Sequence, residues 1–219
     1  MNKKLSVVAI MLATAAVAAP SHAFSLGGLA SALPGKSTQG GGADLSATQA
    51  QTLTDYVAGS QLVIAANMKM AQALNLGGEV SKLQATADAL KSGTSEGSLK
   101  QADVTVSGST QDIMQKLKTN PVLDQASKAT FAAGLAQLAT GAVAYAKAGK
   151  DLAAGQSALQ SASPVQLMQL GQLVYMAKTF PTNAKNFSAA LSAGVQYARG
   201  QNIPVPANAA DATSALGSF

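Results

Sequence analysis

The chain has 219 residues, of which 11% are charged and 47% are hydrophobic, and it contains no cysteine and a single histidine. The absence of cysteine excludes disulfides, thiol nucleophiles and thiolate metal sites. The one histidine, His22, lies in a predicted export signal, so imidazole chemistry is excluded from the predicted mature chain. The formal net charge of +5 comes from scattered lysines and not from a basic run, so nucleic acid is not a predicted partner.

Residues 1–23 have the composition of a secretory signal peptide. Lys3 and Lys4 precede an apolar run, and the small residues Ser21 and Ala23 define a cleavage site before Phe24. Because no cysteine follows the apolar run, lipid modification of the new N-terminus is not expected. The expected location is the periplasm of a bacterium, with secretion as the alternative.

A flexible leader is predicted over residues 24–43, which are rich in glycine and serine. The first long helix is then predicted from about Leu45 to Asn75. Asp44 is placed to cap its start, and the pair Gly77-Gly78 is placed to end it. A shorter second helix, closed by Gly93, is predicted from apolar residues at spacings of three and four, namely Val80, Leu83, Ala87 and Leu90.

Residues 98–119 give a mixed signal. Val104-Thr105-Val106 alternates like a strand, but the run is short and isolated. Ser109 and Asp112 have the spacing of a capping box and could restart a helix. The segment is therefore predicted to be helical, with a break near Ser107-Gly108.

Asn120-Pro121 is predicted to open the second long helix, because proline at the first helical position costs no hydrogen bond. This helix is expected to continue to about Leu152, with Gln160 as the alternative end. Ser163-Pro164 predicts another start of the same kind, followed by an apolar stripe of Leu167, Leu170, Val174 and Ala177.

Phe180-Pro181 is predicted to end that helix, because proline disrupts a helix interior. A last helix is predicted from Phe187, Leu191 and Ala198. Residues 203–219 contain Pro204 and Pro206 and predict an extended tail with at most one short turn of helix.

These elements, together with the high alanine content, predict an all-α protein. The expected architecture is an elongated helical bundle of about five or six helices, two of them long. The bundle is expected to form one domain over residues 44–202.

Both long predicted helices carry a stripe in which large and small residues alternate at spacings of three and four. In the first helix the large residues recur every seven positions with small residues between them, and the second helix repeats the pattern. The first stripe comprises Tyr56, Gly59, Val63, Ala66, Met70 and Ala73, and the second comprises Phe131, Gly134, Leu138, Gly141, Tyr145, Ala148 and Leu152.

Glycine inside a helix costs about 1 kcal/mol relative to alanine, so the glycines of these stripes need a compensating role. Close packing supplies one, and we expect the two long helices to face each other in an antiparallel pair, with large residues of one filling the gaps left by small residues of the other. A Gly141→Leu substitution is then expected to destabilise the fold by about 1–3 kcal/mol.

No residue pattern predicts a catalytic site, a bound cofactor or a metal. The carboxylates show no motif spacing, no Ser-x-x-Lys occurs, and the glycine-rich segments lack the lysine of a phosphate loop. Met68-Lys69-Met70 could suggest copper, but residues two apart on a helix point to different sides, so a core role for Met70 is the simpler interpretation.

Three functions follow as hypotheses. The first is a non-catalytic envelope protein that binds a protein partner or an apolar ligand or serves as a structural component. The second is a membrane-active protein that inserts its alanine-rich helix, since the stretch from Ala129 to Ala146 is uncharged, although a buried core helix is favoured for it. The third is an enzyme of unfamiliar design that uses neither histidine nor cysteine.

Overall fold

The computed structural model describes residues 42–219, and this part of the chain is helical without any strand. The all-α prediction is confirmed. The predicted signal peptide and nearly all of the predicted leader lie outside the described residues. The helices are α1 (Gly42–Ala73), α2 (Gly77–Ser92), α3 (Glu96–Lys118), α4 (Gln125–Ser161), α5 (Pro164–Gln169), α6 (Gly171–Gly200) and α7 (Ala209–Leu216).

The two longest helices, α1 and α4, pack against each other in antiparallel directions. Gly59 of α1 lies against Tyr145 of α4, while Gly134, earlier in α4, lies against Met70, later in α1. α3 runs parallel to α1, since Tyr56 and Asn67 of α1 hydrogen-bond to Asp103 and Thr110 of α3 in the same order. α6 is also parallel to α1, since Asn183 lies at Tyr56 and Gly194 lies near Met70. α2 packs on α1 and α3. α7 covers α4 and α6. The core therefore lies along α1 and α4, against which α2, α3, α6 and α7 pack.

Three helices end at an asparagine in the left-handed conformation, where a residue with a short polar side chain is tolerated. Asn75 follows α1, Asn120 follows α3 and Asn202 follows α6, with φ values of 58°, 49° and 55°. The prediction that Gly77-Gly78 ends the first helix is therefore wrong, because these glycines begin α2. Asn120-Pro121 does not open α4 either.

The actual start of α4 is capped by Asp124, whose carboxylate accepts a hydrogen bond from the Ser127 backbone at 2.7 Å. An aspartate that satisfies a free N–H of the first turn is the stronger start signal, and Pro121 belongs to the loop before it. The predicted cap of the first helix is also displaced, since α1 begins at Gly42, two residues before Asp44.

α3 is one continuous helix, so the predicted break near Ser107-Gly108 is wrong. Its capping box lies at Ser95 and Ser98, and not at Ser109 and Asp112. Ser109 is instead buried and donates its hydroxyl hydrogen to Glu79 of α2. Ser109, which the local spacing predicted to be a helix cap, thus forms a tertiary hydrogen bond instead.

The helix predicted at Ser163-Pro164 does begin there, with Ser163 and Gln166 forming a capping box. It ends after 6 residues, and α6 continues through Pro181, which was predicted to break a helix. Pro181 lies on the exposed side of α6, where water can satisfy the carbonyl that loses its partner, while Phe180 and Ala184 are buried.

The C-terminal residues are not an extended tail. α7 has 8 residues, and its apolar residues Ala209, Ala212 and Leu216 are buried against the bundle. Ile203, which follows Asn202, is also buried and donates its backbone N–H to Ala198 at 2.8 Å. Apolar contacts of small residues hold this segment in the fold, and the two prolines occupy only the connection before it.

Candidate functional site

Every residue of the two predicted stripes is buried. The two stripes meet where α1 packs on α4, along the centre of the bundle. The buried residues are Tyr56, Gly59, Val63, Ala66, Met70 and Ala73 of α1 and Phe131, Gly134, Leu138, Gly141, Tyr145, Ala148 and Leu152 of α4.

The stripe glycines permit this close approach of the two helices. A β-carbon at Gly59 would lie 2.9 Å from the backbone nitrogen of Tyr145, and one at Gly141 would lie 3.2 Å from that of Val63. A β-carbon at Gly134 would lie 3.0 Å from the carbonyl oxygen of Ala66. At Gly59 an added methyl group would overlap backbone atoms, which cannot rotate away, and at Gly134 and Gly141 the neighbouring atoms would have to shift to admit one. No ligand can therefore occupy the space between α1 and α4 at these positions.

A cluster of polar side chains lies beside one end of this interface. The hydroxyls of Tyr56 (α1) and Tyr175 (α6) both donate to the same carboxylate oxygen of Asp103 (α3), each at 2.7 Å. The Asn183 side-chain amide of α6 donates to the Tyr56 hydroxyl at 3.2 Å. The cluster therefore ties α1, α3 and α6 together through groups distant in the sequence.

Burial controls the protonation of this cluster. It raises the pKa of Asp103, although the hydrogen bonds from Tyr56 and Tyr175 act in the opposite direction. Burial and the neighbouring Asp103 charge also raise the pKa of Tyr56, and burial and the hydrogen bond to Asp103 raise that of Tyr175. The phenols therefore stay protonated near neutral pH, which disfavours their use as general bases.

Tyr145 is the centre of an aromatic stack beside the polar cluster. Its ring is parallel to that of Phe180, with centroids 4.6 Å apart, and contacts Phe187 and Tyr56 at 4.9 and 5.0 Å. The Tyr145 hydroxyl is fully buried beside Tyr56 and Asn183 but makes no hydrogen bond of ordinary geometry with either. Burial raises its pKa far above the ordinary value, so it also remains a neutral phenol.

A second charged group joins α1 and α4 near the surface. Asp55 accepts hydrogen bonds from Gln51 at 2.9 Å and Lys147 at 3.0 Å, and these interactions outweigh partial burial and lower its pKa. Partial burial and the Asp55 charge raise the pKa of Asp151 on the next turn of α4. Sequence spacing missed this carboxylate pair because its members come from different helices.

An open groove of about 510 Å³ lies between α2 and α3. Glu79 at its base is bound by Lys82 at 2.6 Å and by the Ser109 hydroxyl, and both interactions lower its pKa. Gln101, Val104 and other side chains form its walls. Because Glu79 already has a cation and a hydroxyl as partners, this carboxylate is not free to bind a cationic ligand.

Among the described residues, exposed large apolar side chains are most numerous on α5 and at the start of α6. Val165 is 66% exposed, Met168 85%, Leu167 37% and Val174 39%. α5 has no buried residue at all. We refer to these four residues as the α5–α6 surface; Leu167 and Val174, predicted to belong to one apolar stripe with Leu170, lie outside the core, and only Leu170 is buried.

Neither metal nor copper chemistry gains support from the geometry. Across residues 42–219 no group of three or more His, Cys, Asp or Glu side chains is placed to hold a metal ion. Met70 is buried against Gly134, whereas Met68 is only partly buried on another side of α1. The two sulfurs thus have different surroundings, as expected for residues two apart on a helix.

Sequence reasoning missed the Asp103 cluster and the α5–α6 surface. A signal for Asp103 was present, because it borders the apolar stripe of Leu99, Ala102 and Val106 on α3, and an acidic residue in that position needs a partner. The identity of its partners could not be read from spacing, since Tyr56 and Tyr175 are 47 and 72 residues away.

One helix of the described chain, α4, is long and apolar enough to cross a membrane when judged by length and composition. Half of its apolar window, 50%, is buried inside the bundle, where Leu135 and Leu138 are inaccessible to solvent. A core helix of a soluble protein satisfies the same criterion, so this feature is weak support for a membrane span.

No protein-family model, curated protein or solved structure matches this chain. The functional proposal therefore depends on the residues of the chain itself.

Proposed function

We propose that the protein is exported to the bacterial envelope and acts there without catalysis, by binding a partner through the α5–α6 surface. The observation that carries the proposal is the exposure of Val165 and Met168 on a helix that has no buried residue. Several exposed apolar side chains on one short helix are typical of an interaction surface, whereas single exposed apolar residues are ordinary.

Carriage of an apolar ligand between the long helices is a less favourable form of binding. The contacts at Gly59, Gly134 and Gly141 are so close that even a methyl group would displace neighbouring atoms, so an apolar ligand has no space between α1 and α4 there. Insertion of α4 into a membrane would have to expose the same tightly packed residues. Binding at the surface needs neither change.

The chemistry of the polar groups supports a non-enzymatic role. The phenols of Tyr56, Tyr145 and Tyr175 have raised pKa values, and the Asp103 carboxylate already accepts two hydrogen bonds. These groups hydrogen-bond or stack between helices, and such buried networks stabilise a particular arrangement of the helices without any catalytic role. An enzyme that uses Asp and Tyr remains the alternative function, favoured only by this gathering of tyrosines.

The test has two steps in bacteria that express the full chain. Fractionation and N-terminal sequencing are expected to find the protein outside the cytoplasm and starting at Phe24. A photocrosslinking amino acid in place of Met168 is then expected to capture an envelope component, while the same amino acid in place of Val122, which is 89% exposed in another loop, is not. A cytoplasmic protein, or equal capture at both positions, would contradict the proposal.

A further inference from the structure

The α5–α6 surface is accompanied by charges of one sign in its own part of the chain. Between residues 152 and 210 there is no aspartate or glutamate, but Lys178, Lys185 and Arg199 are present. Lys178 lines the same groove, of about 350 Å³, as Leu167 and Val174. The groove thus combines apolar walls with a cationic border.

The two lysines continue the surface along α6. Val174, Lys178 and Lys185 are separated by four and seven residues, a spacing that places them on one face of a helix. Both lysines are exposed. The acidic residue Glu96, which approaches Gly171 from α3, is paired with Lys100 at 2.6 Å and so does not neutralise this face.

These charges argue against a second copy of the chain as the occupant. In a two-fold symmetric dimer the same surface lies on both sides of the interface, so Lys178 and Lys185 would face the same cationic region without an acidic partner between residues 152 and 210. A partner that offers both an apolar phase and negative charge removes this conflict, and an anionic lipid bilayer offers both.

We propose that the α5–α6 surface docks the protein onto the surface of a membrane rich in anionic lipid. Val165, Leu167 and Met168 enter the boundary between headgroups and acyl chains, while Lys178 and Lys185 contact phosphate groups. The bundle stays folded and α4 does not insert. This inference rests on the proposed function, because it uses the same surface and names the class of its partner.

Vesicle sedimentation tests the proposal with the exported protein, purified as the producing cell processes it. Vesicles of phosphatidylethanolamine with phosphatidylglycerol are compared with vesicles of phosphatidylcholine alone, at low and high salt. We expect sedimentation with the anionic vesicles, weaker binding to the neutral ones and release by salt, because surface charge interactions are screened. Every variant carries the same N-terminal residues, so differences between variants report on the substituted positions.

The matched variants separate the two contributions. The double variant Val165→Gln, Met168→Gln is expected to lose at least tenfold in vesicle affinity at any salt concentration. Lys178→Gln and Lys185→Gln are each expected to lose about fivefold, at low salt only. Val122→Gln is expected to bind as the parent does, since Val122 precedes α4 and Val165 follows it, and a helix of 37 residues separates them by about 55 Å. Unchanged circular dichroism verifies that each variant is folded.

Three results would overturn the lipid assignment. They are no sedimentation with either kind of vesicle, equal losses for Val122→Gln and the Val165, Met168 double variant, and a dimer in analytical ultracentrifugation that the double variant abolishes. In any of these cases, a photocrosslink from position 168 to an envelope protein would leave the proposed function standing. Absence of any crosslink specific to position 168 would remove both proposals.

Discussion

The hydroxyl groups of two buried tyrosines in the core differ in their hydrogen bonding. The Tyr56 hydroxyl donates to Asp103 and accepts from Asn183, whereas the Tyr145 hydroxyl lies near Tyr56 and Asn183 without a well-formed hydrogen bond to either. A buried polar group without a partner loses its hydration and gains nothing in return, so these two hydroxyls should affect stability with opposite sign.

We expect Tyr145→Phe to raise the free energy of unfolding by about 1 kcal/mol, because it removes an unsatisfied hydroxyl and keeps the stacked ring. Tyr56→Phe is expected to lower it by about 1–2 kcal/mol, because Asp103 loses a donor and Asn183 loses an acceptor. Urea unfolding of both variants measures the difference. A loss of stability in Tyr145→Phe equal to that in Tyr56→Phe would mean that the Tyr145 hydroxyl has a partner in solution.

At the scale of the helices, the glycines of α1 and α4 differ from that of α3. Gly59 is in contact with the backbone of Tyr145, while Gly108 of α3 is exposed and a β-carbon there would meet no atom within 4 Å. Both are interior helix positions, where alanine is intrinsically better than glycine. Whether a Gly→Ala substitution raises or lowers the free energy of unfolding at these two positions should therefore depend only on the packing around the added methyl group.

Gly59→Ala is expected to lower the free energy of unfolding by about 1–3 kcal/mol, because the added methyl group would overlap immobile backbone atoms of α4. Gly108→Ala is expected to raise it by about 1 kcal/mol through helix propensity. Chemical denaturation of the two variants provides the comparison. If Gly59→Ala were as stable as Gly108→Ala, the close approach of α1 and α4 would be excluded.

For the whole molecule, Asp103 links three helices with a carboxylate that burial makes harder to ionise. Because the pKa of this group is raised in the folded state, its favourable contribution is present below the unfolded value of about 3.8 and is lost as the pH rises through the folded value. At neutral pH this contribution to the free energy of unfolding is therefore reduced, whereas a neutral hydrogen-bond acceptor at position 103 has no such contribution to lose.

Asp103→Asn should show this effect as a change with pH. Asparagine keeps one oxygen to accept the hydroxyls of Tyr56 and Tyr175 but carries no charge. We expect the variant to match the parent in urea midpoint at pH 3 and to exceed it at pH 7. A variant less stable than the parent at pH 7, but equal to it at pH 3, would show that the ionised carboxylate stabilises the fold.

The sequence alone was sufficient for the helical class and for the two stripes that meet in the core. Alanine content and spacings of three and four are local properties, and the alternation of residues such as Tyr145 and Gly141 is visible without knowledge of the partner helix. The excluded chemistries also follow from composition, because no tertiary arrangement can supply a missing thiol.

Helix ends and polar contacts were decided by the tertiary structure. Pro181 stays inside α6 because residues on both sides of it are buried, and Ser109 leaves a potential cap to bind Glu79. The α5–α6 surface is also a property of the folded chain, since α5 has only 6 residues and Leu167 is exposed on it. For Pro181 and Ser109, the free energy of burying or pairing side chains distant in the sequence exceeds the local preference, which is about 3 kcal/mol against proline inside a helix and about 1 kcal/mol for a helix cap.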